Sequence, residues 1–237
     1  MDSGVSRGLY SAVSAMNSAQ ARVDVAASNL ANVSTSGFKR SGTATHSFEA
    51  RLRAGHEPML ATNEAIDYEQ GLIARTGNPY DLALYGQGFF AIDTPAGERF
   101  TRDGHFNVGE DGVLKTQDGH PVAWAQRGGA IDPTGLPVSI GIDGRVSQGT
   151  QELGRLRIAN FVDQRALGRD DSGRFYAQRG AVEAPFTAEL HQGALESSNV
   201  NAVREMIDLI AIQRAFEGAA NVLNQIDQSY RRLSRPQ

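Results

Sequence analysis

The chain has 237 residues, 27 acidic against 23 basic side chains for a formal net charge of −4, 40% hydrophobic residues and 7% aromatic ones. That length accommodates one or two domains with a sizeable core, and the mildly acidic balance argues against a nucleic-acid surface spread over the whole protein. The lack of cysteine excludes a disulfide framework, a thiolate zinc site, an iron–sulfur cluster and a cysteine nucleophile, so work outside the cytosol would need another source of stability, such as neighbouring subunits.

The first 20 residues lack the basic start and unbroken apolar block of a secretory signal peptide, and no stretch supplies the roughly 20 apolar residues of a membrane span. The expectation is a cytoplasmic chain, or one exported by a route that leaves no cleavable signal. Residues 9–36 contain neither Gly nor Pro. Val5, Leu9, Ala12, Met16, Ala19, Val23, Ala26 and Leu30 follow one another at alternating spacings of 4 and 3, which is a heptad seam. Leu9, Met16, Val23 and Leu30 form a bulky column, whereas Ala12, Ala19 and Ala26 form a small one that lets a second helix come close. The helix should stop in the run Asn29–Gly37, where short polar side chains compete for backbone hydrogen bonds and Gly permits positive φ. Its length would be roughly 40–45 Å.

The middle of the chain is of another kind. Residues 71–193 hold 20 of the 26 glycines and six of the eight prolines, the residues that punctuate turns. Residues 88–93, a turn at 94–97 and residues 98–101 read as a β-hairpin. Asp-Gly pairs at 103–104, 111–112, 118–119 and 143–144 separate short apolar runs at 106–108, 113–115, 121–124 and 140–142. A further strand pair is expected between 153–162 and 175–177. With no crossover helices between them, these strands should form mainly antiparallel sheets.

At the other end, residues 194–235 contain only Gly218. Leu209, Ile212, Phe216, Ala219, Leu223, Ile226, Tyr230 and Leu233 repeat the heptad spacing, and Val203, Ile207 and Ile210 add a second stripe upstream. Ser197, Ser198, Asn199 and Asn201 offer N-caps, and Arg231, Arg232 and Arg235 suit the negative pole of the helix dipole. This helix could reach roughly 50 Å. The fold class that follows is α+β: long N- and C-terminal helices pairing as a coiled coil around a central, mainly antiparallel β-domain. Residues 1–36 and 197–237 form the helical domain, 37–76 an extended connection and 77–196 the β-rich domain.

Chemistry-bearing patterns are few. The five histidines (His46, His56, His105, His120 and His191) share no ligand spacing. The Asp-Gly pairs lack the alternating oxygen ligands of a calcium loop and read as turns. Gly86-Gln87-Gly88 opens like a dinucleotide loop, but Ala91 stands at the third glycine and no helix follows. Asp81, Asp103 and Glu110 are ordinary turn carboxylates unless a cleft pairs them. Asn32-Val33-Ser34 matches a glycosylation sequon but reads as helix-end polarity. The expectation is no enzyme, no cofactor, no metal, no nucleic acid and no small-molecule substrate. Two long apolar stripes on helices that outreach a compact β-domain imply partners instead.

These residues resemble the bacterial flagellar axial proteins, specifically the basal-body rod proteins of the proximal- and distal-rod type. The run from Ser28 through Asn29, Leu30, Asn32, Gly37 and Phe38 to Lys39 is similar to their N-terminal signature. The segments Gly77–Leu84, Gly86-Gln87-Gly88-Phe89-Phe90 and Phe100–Gly104 are similar to the start of their β-domain. Residues Leu195 to Asn201, including Ser198, Asn199 and Val200, followed by Met206-Ile207 and by Gln213-Arg214-Ala215-Phe216-Glu217, are similar to the C-terminal signature. The 38 residues between Lys39 and Asn78 point to the proximal type, whereas the wording at 87–90 and 213–217 is nearer the distal one.

The resemblance implies a structural subunit of the flagellar rod. It would be exported by the flagellar type III apparatus without a cleavable signal and assemble with itself and other axial proteins across the cell envelope. Its terminal helices would form an inner layer, its β-domain an outer one, and the rod would transmit torque to the hook. The expected packing residues are Leu9, Ala12, Met16, Ala19, Val23, Ala26 and Leu30 against Leu209, Ile212, Phe216, Leu223, Ile226 and Tyr230, with the ends partly disordered before assembly. Two other classes fit the same pattern: a β-rich enzyme with a helical dimerisation stalk, and a phage-tail or adhesin-like β-protein with coiled-coil ends.

Overall fold

The computed structural model of the chain describes residues 2–45 and 62–233, with side chains described over 12–43 and 65–226 and at 228. Expectations that fall on residues 46–61 and 234–237, and on the side chains of Val5, Leu9, Tyr230 and Leu233, lie outside the described residues. The chain divides into two compact units, one of residues 1–33, 40–67 and 200–237 and the other of residues 34–39 and 68–199.

The helical unit contains α1 (Asp2–Ala31) and α2 (Ala202–Leu233). Helix α1 starts upstream of the glycine-free stretch and runs through Gly4 and Gly8. It ends where the polar run predicts: the Asn32 amide donates back to the Ser28 and Asn29 carbonyls at 3.2 and 3.1 Å, and Asn32 Nδ2 donates to the Ser28 carbonyl at 2.9 Å. Asn201 is the N-cap of α2, its Oδ1 accepting from the Arg204 amide at 3.1 Å. Ala19, Ala26 and Ile212 form a buried cluster with Val23, Leu209 and Phe216 packed against it. Asn29, near the end of α1, meets Glu205, near the start of α2, so the helices run antiparallel. The stretch expected as an extended connection also contains an antiparallel pair, β1 (Ser41–Thr45) with β2 (Thr62–Ile66).

The other unit is built of short antiparallel strands. β3 (Ile73–Arg75) pairs with β18 (Ala194–Glu196), and β4 (Leu82–Tyr85) with β17 (Glu189–Gln192). The hairpin read from residues 88–101 is present as β5 (Phe89–Thr94) and β6 (Gly97–Thr101). Beyond it, β7 (Phe106–Val108) pairs with β8 (Leu114–Thr116) across the Asp111-Gly112 turn. A four-stranded sheet has the order β10 (Val138–Ile140), β11 (Arg145–Gln148), β12 (Gln151–Leu156), β9 (Trp124–Arg127). A six-stranded sheet has the order β14 (Leu167–Arg169), β15 (Phe175–Ala177), β6, β5, β13 (Ile158–Phe161), β16 (Glu183–Ala184).

One pairing differs from the expectation. The stretch 153–162 is not one strand beside 175–177; it divides at Arg157 into β12 and β13, which belong to different sheets. β13 pairs with β5 and β16, while β15 pairs with β14 and β6. An apolar run tells that a strand is buried but not which neighbour it buries against.

Strand β5 explains the core. Residues 89–92 are all buried, because side chains alternate across a strand whose two faces are both covered. Phe90 and Ile92 enter a cluster with Leu82, Leu84, Phe106 and Leu114, and the Phe90 and Phe106 rings meet edge to face at 5.2 Å. Phe89 points the other way, towards Phe175 at 5.2 Å and Tyr68 at 6.1 Å between ring centres. At about 25 cal/mol per Å² such side chains each contribute roughly 1.5–3 kcal/mol.

Candidate functional site

The most uneven surface belongs to the helical unit. Around α2, Ile212 is buried, and Leu209 and Phe216 are half-buried against α1. Val203, Met206, Ile207 and Ile210 are 67%, 50%, 61% and 53% exposed. Their spacing of 3, 1 and 3 places them on one helical face, a different one from the face that covers α1. This is a contiguous apolar stripe left in water, the kind of patch that marks an interaction surface.

The beginning of that stripe is held by a buried polar junction. Asn29 is fully buried, and its side-chain amide makes both strand-like bonds to Ser41 of β1: Nδ2 donates to the Ser41 carbonyl at 2.7 Å and Oδ1 accepts from the Ser41 amide at 2.9 Å. Nδ2 also donates to Glu205 Oε2 at 3.2 Å. Glu205 Oε1 in turn accepts from Arg40 Nε at 2.5 Å, and Arg40 Nη2 lies 3.8 Å from Asp208. One asparagine therefore ties α1, β1 and α2 together. Beside this junction is a cleft of about 220 Å³, lined in part by Arg22, Arg40, Glu205 and Asp208.

The β-unit has a junction of its own. Glu196, 1% exposed, accepts from Lys39 Nζ at 2.6 Å and the Gly71 amide at 2.9 Å on Oε1, and from Arg102 Nη1 at 3.2 Å on Oε2. Carbonyl oxygens of Glu69, Leu84 and Gly86 accept further bonds from the two cations. Burial pushes the Arg102 guanidinium below its ordinary value, and Glu196 pushes it back up. Tyr68, packed edge-on to Phe89 and 5.6 Å from Phe175, is pushed up to about 12 by burial, with Arg169 acting the other way.

The expected packing residues divide accordingly. Ala12, Ala19, Ala26 and Ile212 are buried; Met16, Val23, Leu30, Leu209, Phe216, Leu223 and Ile226 are half-buried. The structure brings Ala19, Val23 and Ala26 together with Leu209, Ile212 and Phe216. Leu9 and Tyr230 belong to α1 and α2, but their side chains lie outside the described residues. Among the signature positions, Gly37 takes a φ of +67°, and a Cβ there would stand 2.2 Å from the Arg102 carbonyl carbon. Phe38 lies under the Arg169 guanidinium at 4.6 Å. Gly86 donates its amide to Gln70 Oε1, Gly88 precedes β5, and Phe89 and Phe90 are core residues. Asn199 donates from Nδ2 to the Glu69 carbonyl at 3.0 Å, Ser198 lies beside it in the chain, and Val200 is buried. Gln213 and Arg214 are exposed on α2.

Of the charged residues in the two junctions, Arg40 and Glu205 are not singled out by the sequence pattern, whereas Lys39, Arg102 and Glu196 lie within the segments that carry the resemblance but have no role assigned there. Each is an ordinary charged residue until distant segments meet. Among the described residues no group of three or more His, Asp or Glu side chains that could hold a metal ion comes together, and no helix is long and apolar enough to cross a membrane.

Three family models match this chain: the flagella basal body rod protein over residues 9–39, the flagellar hook protein FlgE/F/G D1 domain over 83–148, and the flagellar basal body rod FlgEFG protein C-terminal region over 191–235. The flagellar basal-body rod protein FlgF of Caulobacter vibrioides is 37% identical over 226 residues, covering 91% of both chains. FlgF of Mesorhizobium japonicum is 38% identical over 232 residues, covering 92% of both. FlgG of Bacillus subtilis is 32% identical over 257 residues, covering 96% of this chain and 97% of its own.

Proposed function

This chain belongs to the flagellar basal-body rod protein family, and from that premise we propose that it is a structural subunit of the bacterial flagellar rod. Its work is assembly in the basal body and, with it, motility. The reading of a β-rich enzyme on a dimerisation stalk gives way to family membership.

The observation that carries the mechanism is the exposed stripe Val203, Met206, Ile207 and Ile210 on a helix whose other face already covers α1. Among the described residues α1 and α2 cover one face of each other, and the stripe on α2 stays exposed. Neighbouring subunits supply the rest of the cover, the small column of Ala12, Ala19 and Ala26 letting helices approach closely and Leu30, Leu223 and Ile226 extending the seam. The terminal helices then form the coiled-coil inner layer of the rod and the β-unit its outer layer. Contacts of this kind are heterologous, so they propagate along an open helical assembly instead of closing into a dimer. The partners are further copies of this chain and other axial proteins. Delivery is by the flagellar type III apparatus, and the finished rod carries torque from motor to hook.

The short internal spacing of 38 residues between Lys39 and Asn78 favours the proximal-rod type. The two FlgF relatives align over 226 and 232 residues, whereas the B. subtilis FlgG alignment runs to 257 positions for a similar share of this chain. The test is complementation of a deletion strain with a chain carrying Ile207→Asp and Ile210→Asp together. The variant protein should accumulate folded, yet basal bodies should lack a complete rod and the cells should not swim. Normal swimming with intact rods would overturn the reading.

A further inference from the structure

The buried junction at Glu196 has a property that the rod reading does not use: it joins segments far apart in the chain, all within the β-unit. Through its side chain, Glu196 accepts from Lys39, Gly71 and Arg102; through its backbone carbonyl, it accepts from the Gly37 amide at 2.7 Å. The groups it binds lie between 94 (Arg102) and 159 (Gly37) residues earlier in sequence. The neighbouring residues work alike. The Ser197 amide donates to the Leu72 carbonyl at 2.8 Å, and the Asn199 amide donates to the Phe38 carbonyl at 3.4 Å. A Cβ on Gly71 would stand 1.9 Å from the Ser197 carbonyl oxygen, so the two backbones touch directly.

We propose that Glu196 is the closing latch of the β-unit: residues 34–39 and 69–75 take their places only when residues 194–199, the unit's last segment, dock. Lys39 and Arg102 are 1% and 4% exposed, and both pair with the Glu196 carboxylate. Placing both cations in the interior before Glu196 arrives means burying them without it, which is strongly unfavourable. Strand β3 likewise has β18 as its ladder partner. The β5–β6 and β7–β8 ladders have no such dependence on residues 194–199: each joins strands adjacent in sequence, and the further neighbours of β5 and β6 are β13 and β15. Closure therefore comes late and is conditional on the C-terminal segment. A chain whose residues 194–199 are held elsewhere keeps the rest of the sheet core but leaves the latch open.

Pulse-labelled amide exchange during refolding of the full wild-type chain tests this without any substitution. Protection of the Gly37, Gly71 and Ser197 amides should appear in one phase, later than protection of the β5–β6 ladder. Protection of Gly37 or Gly71 in an earlier phase than Ser197 would overturn the proposal. In the full chain carrying Glu196→Gln, the equilibrium constant for opening the Gly37 and Gly71 amides should rise by roughly 100-fold or more, the scale for removing one partner of a buried charge pair. Unchanged protection at both amides would contradict the latch. If the variant does not fold, the wild-type phase order decides.

Discussion

The β-unit encloses a large apolar core and the helical unit a small one beside a contiguous exposed stripe. In the former, Phe89 and Phe90 on consecutive positions of β5 each find a covered face, and the main cluster gathers residues from Leu82 to Leu190. In the latter, the buried cluster consists of Ala19, Ala26 and Ile212, and an apolar stripe as long as two helical turns stays in water. Both units use a buried carboxylate as a junction, Glu196 in one and Glu205 in the other. The difference between them therefore lies in the size of the apolar core.

Substitutions should separate the two. Phe90→Ala empties a site that is fully buried between β4, β5 and β7 neighbours, and should cost about 3–5 kcal/mol in a denaturation experiment. A cost under about 1 kcal/mol would mean that the β-unit is not self-sufficient. Asn29→Ala removes the two bonds between the Asn29 side chain and the Ser41 backbone and should cost about 1–3 kcal/mol, with increased amide exchange confined to the helical unit. Spread of that increase into the β-sheets would show that the units are not separable in stability.

A smaller effect comes from Tyr68 in the β-unit. Its folded-state value is raised, so its contribution is fully present below the ordinary value near 10 and is lost as pH rises towards about 12, because the unfolded chain gives up the proton first. Tyr68→Phe should flatten that part of the stability curve, by no more than about 1–2 kcal/mol once solvent screening of this partly exposed group is allowed for. An unchanged slope between pH 10 and 12 would assign the loss to other groups. Smallest for the isolated protein is Ile210→Asp, which should change stability by no more than about 0.5 kcal/mol, since the side chain already meets water. A large destabilisation would mean that the stripe packs within the chain.

Where local chemistry decides, the sequence was legible. The two helices, an N-cap for the second among Ser197, Ser198, Asn199 and Asn201, the stop within Asn29–Gly37 and the 88–101 hairpin each depend on residues close in sequence, and each has its physical signal there. The division of 153–162 between two sheets was not legible, because strand partnership is a long-range matter and Arg157 carries no break signal. The junctions were hidden for the same reason. Asn29 stood out in a polar run, but its grip on Ser41 and Glu205 requires α2 to return from the far end of the chain. Gln213 and Arg214 belong to the family wording and yet are exposed on α2, where family membership, not packing within the chain, is what draws attention to them.

The central claim is that the β-unit is complete alone and the helical unit is completed by other subunits. Amide hydrogen exchange on the full chain, measured first in dilute solution and then after assembly, tests it most directly. The account predicts strong protection of β4, β5 and β6 in both states, with weak protection along α1 and α2 that rises sharply on assembly. Equal and full protection of the helices in the dilute protein, unchanged on assembly, would contradict it.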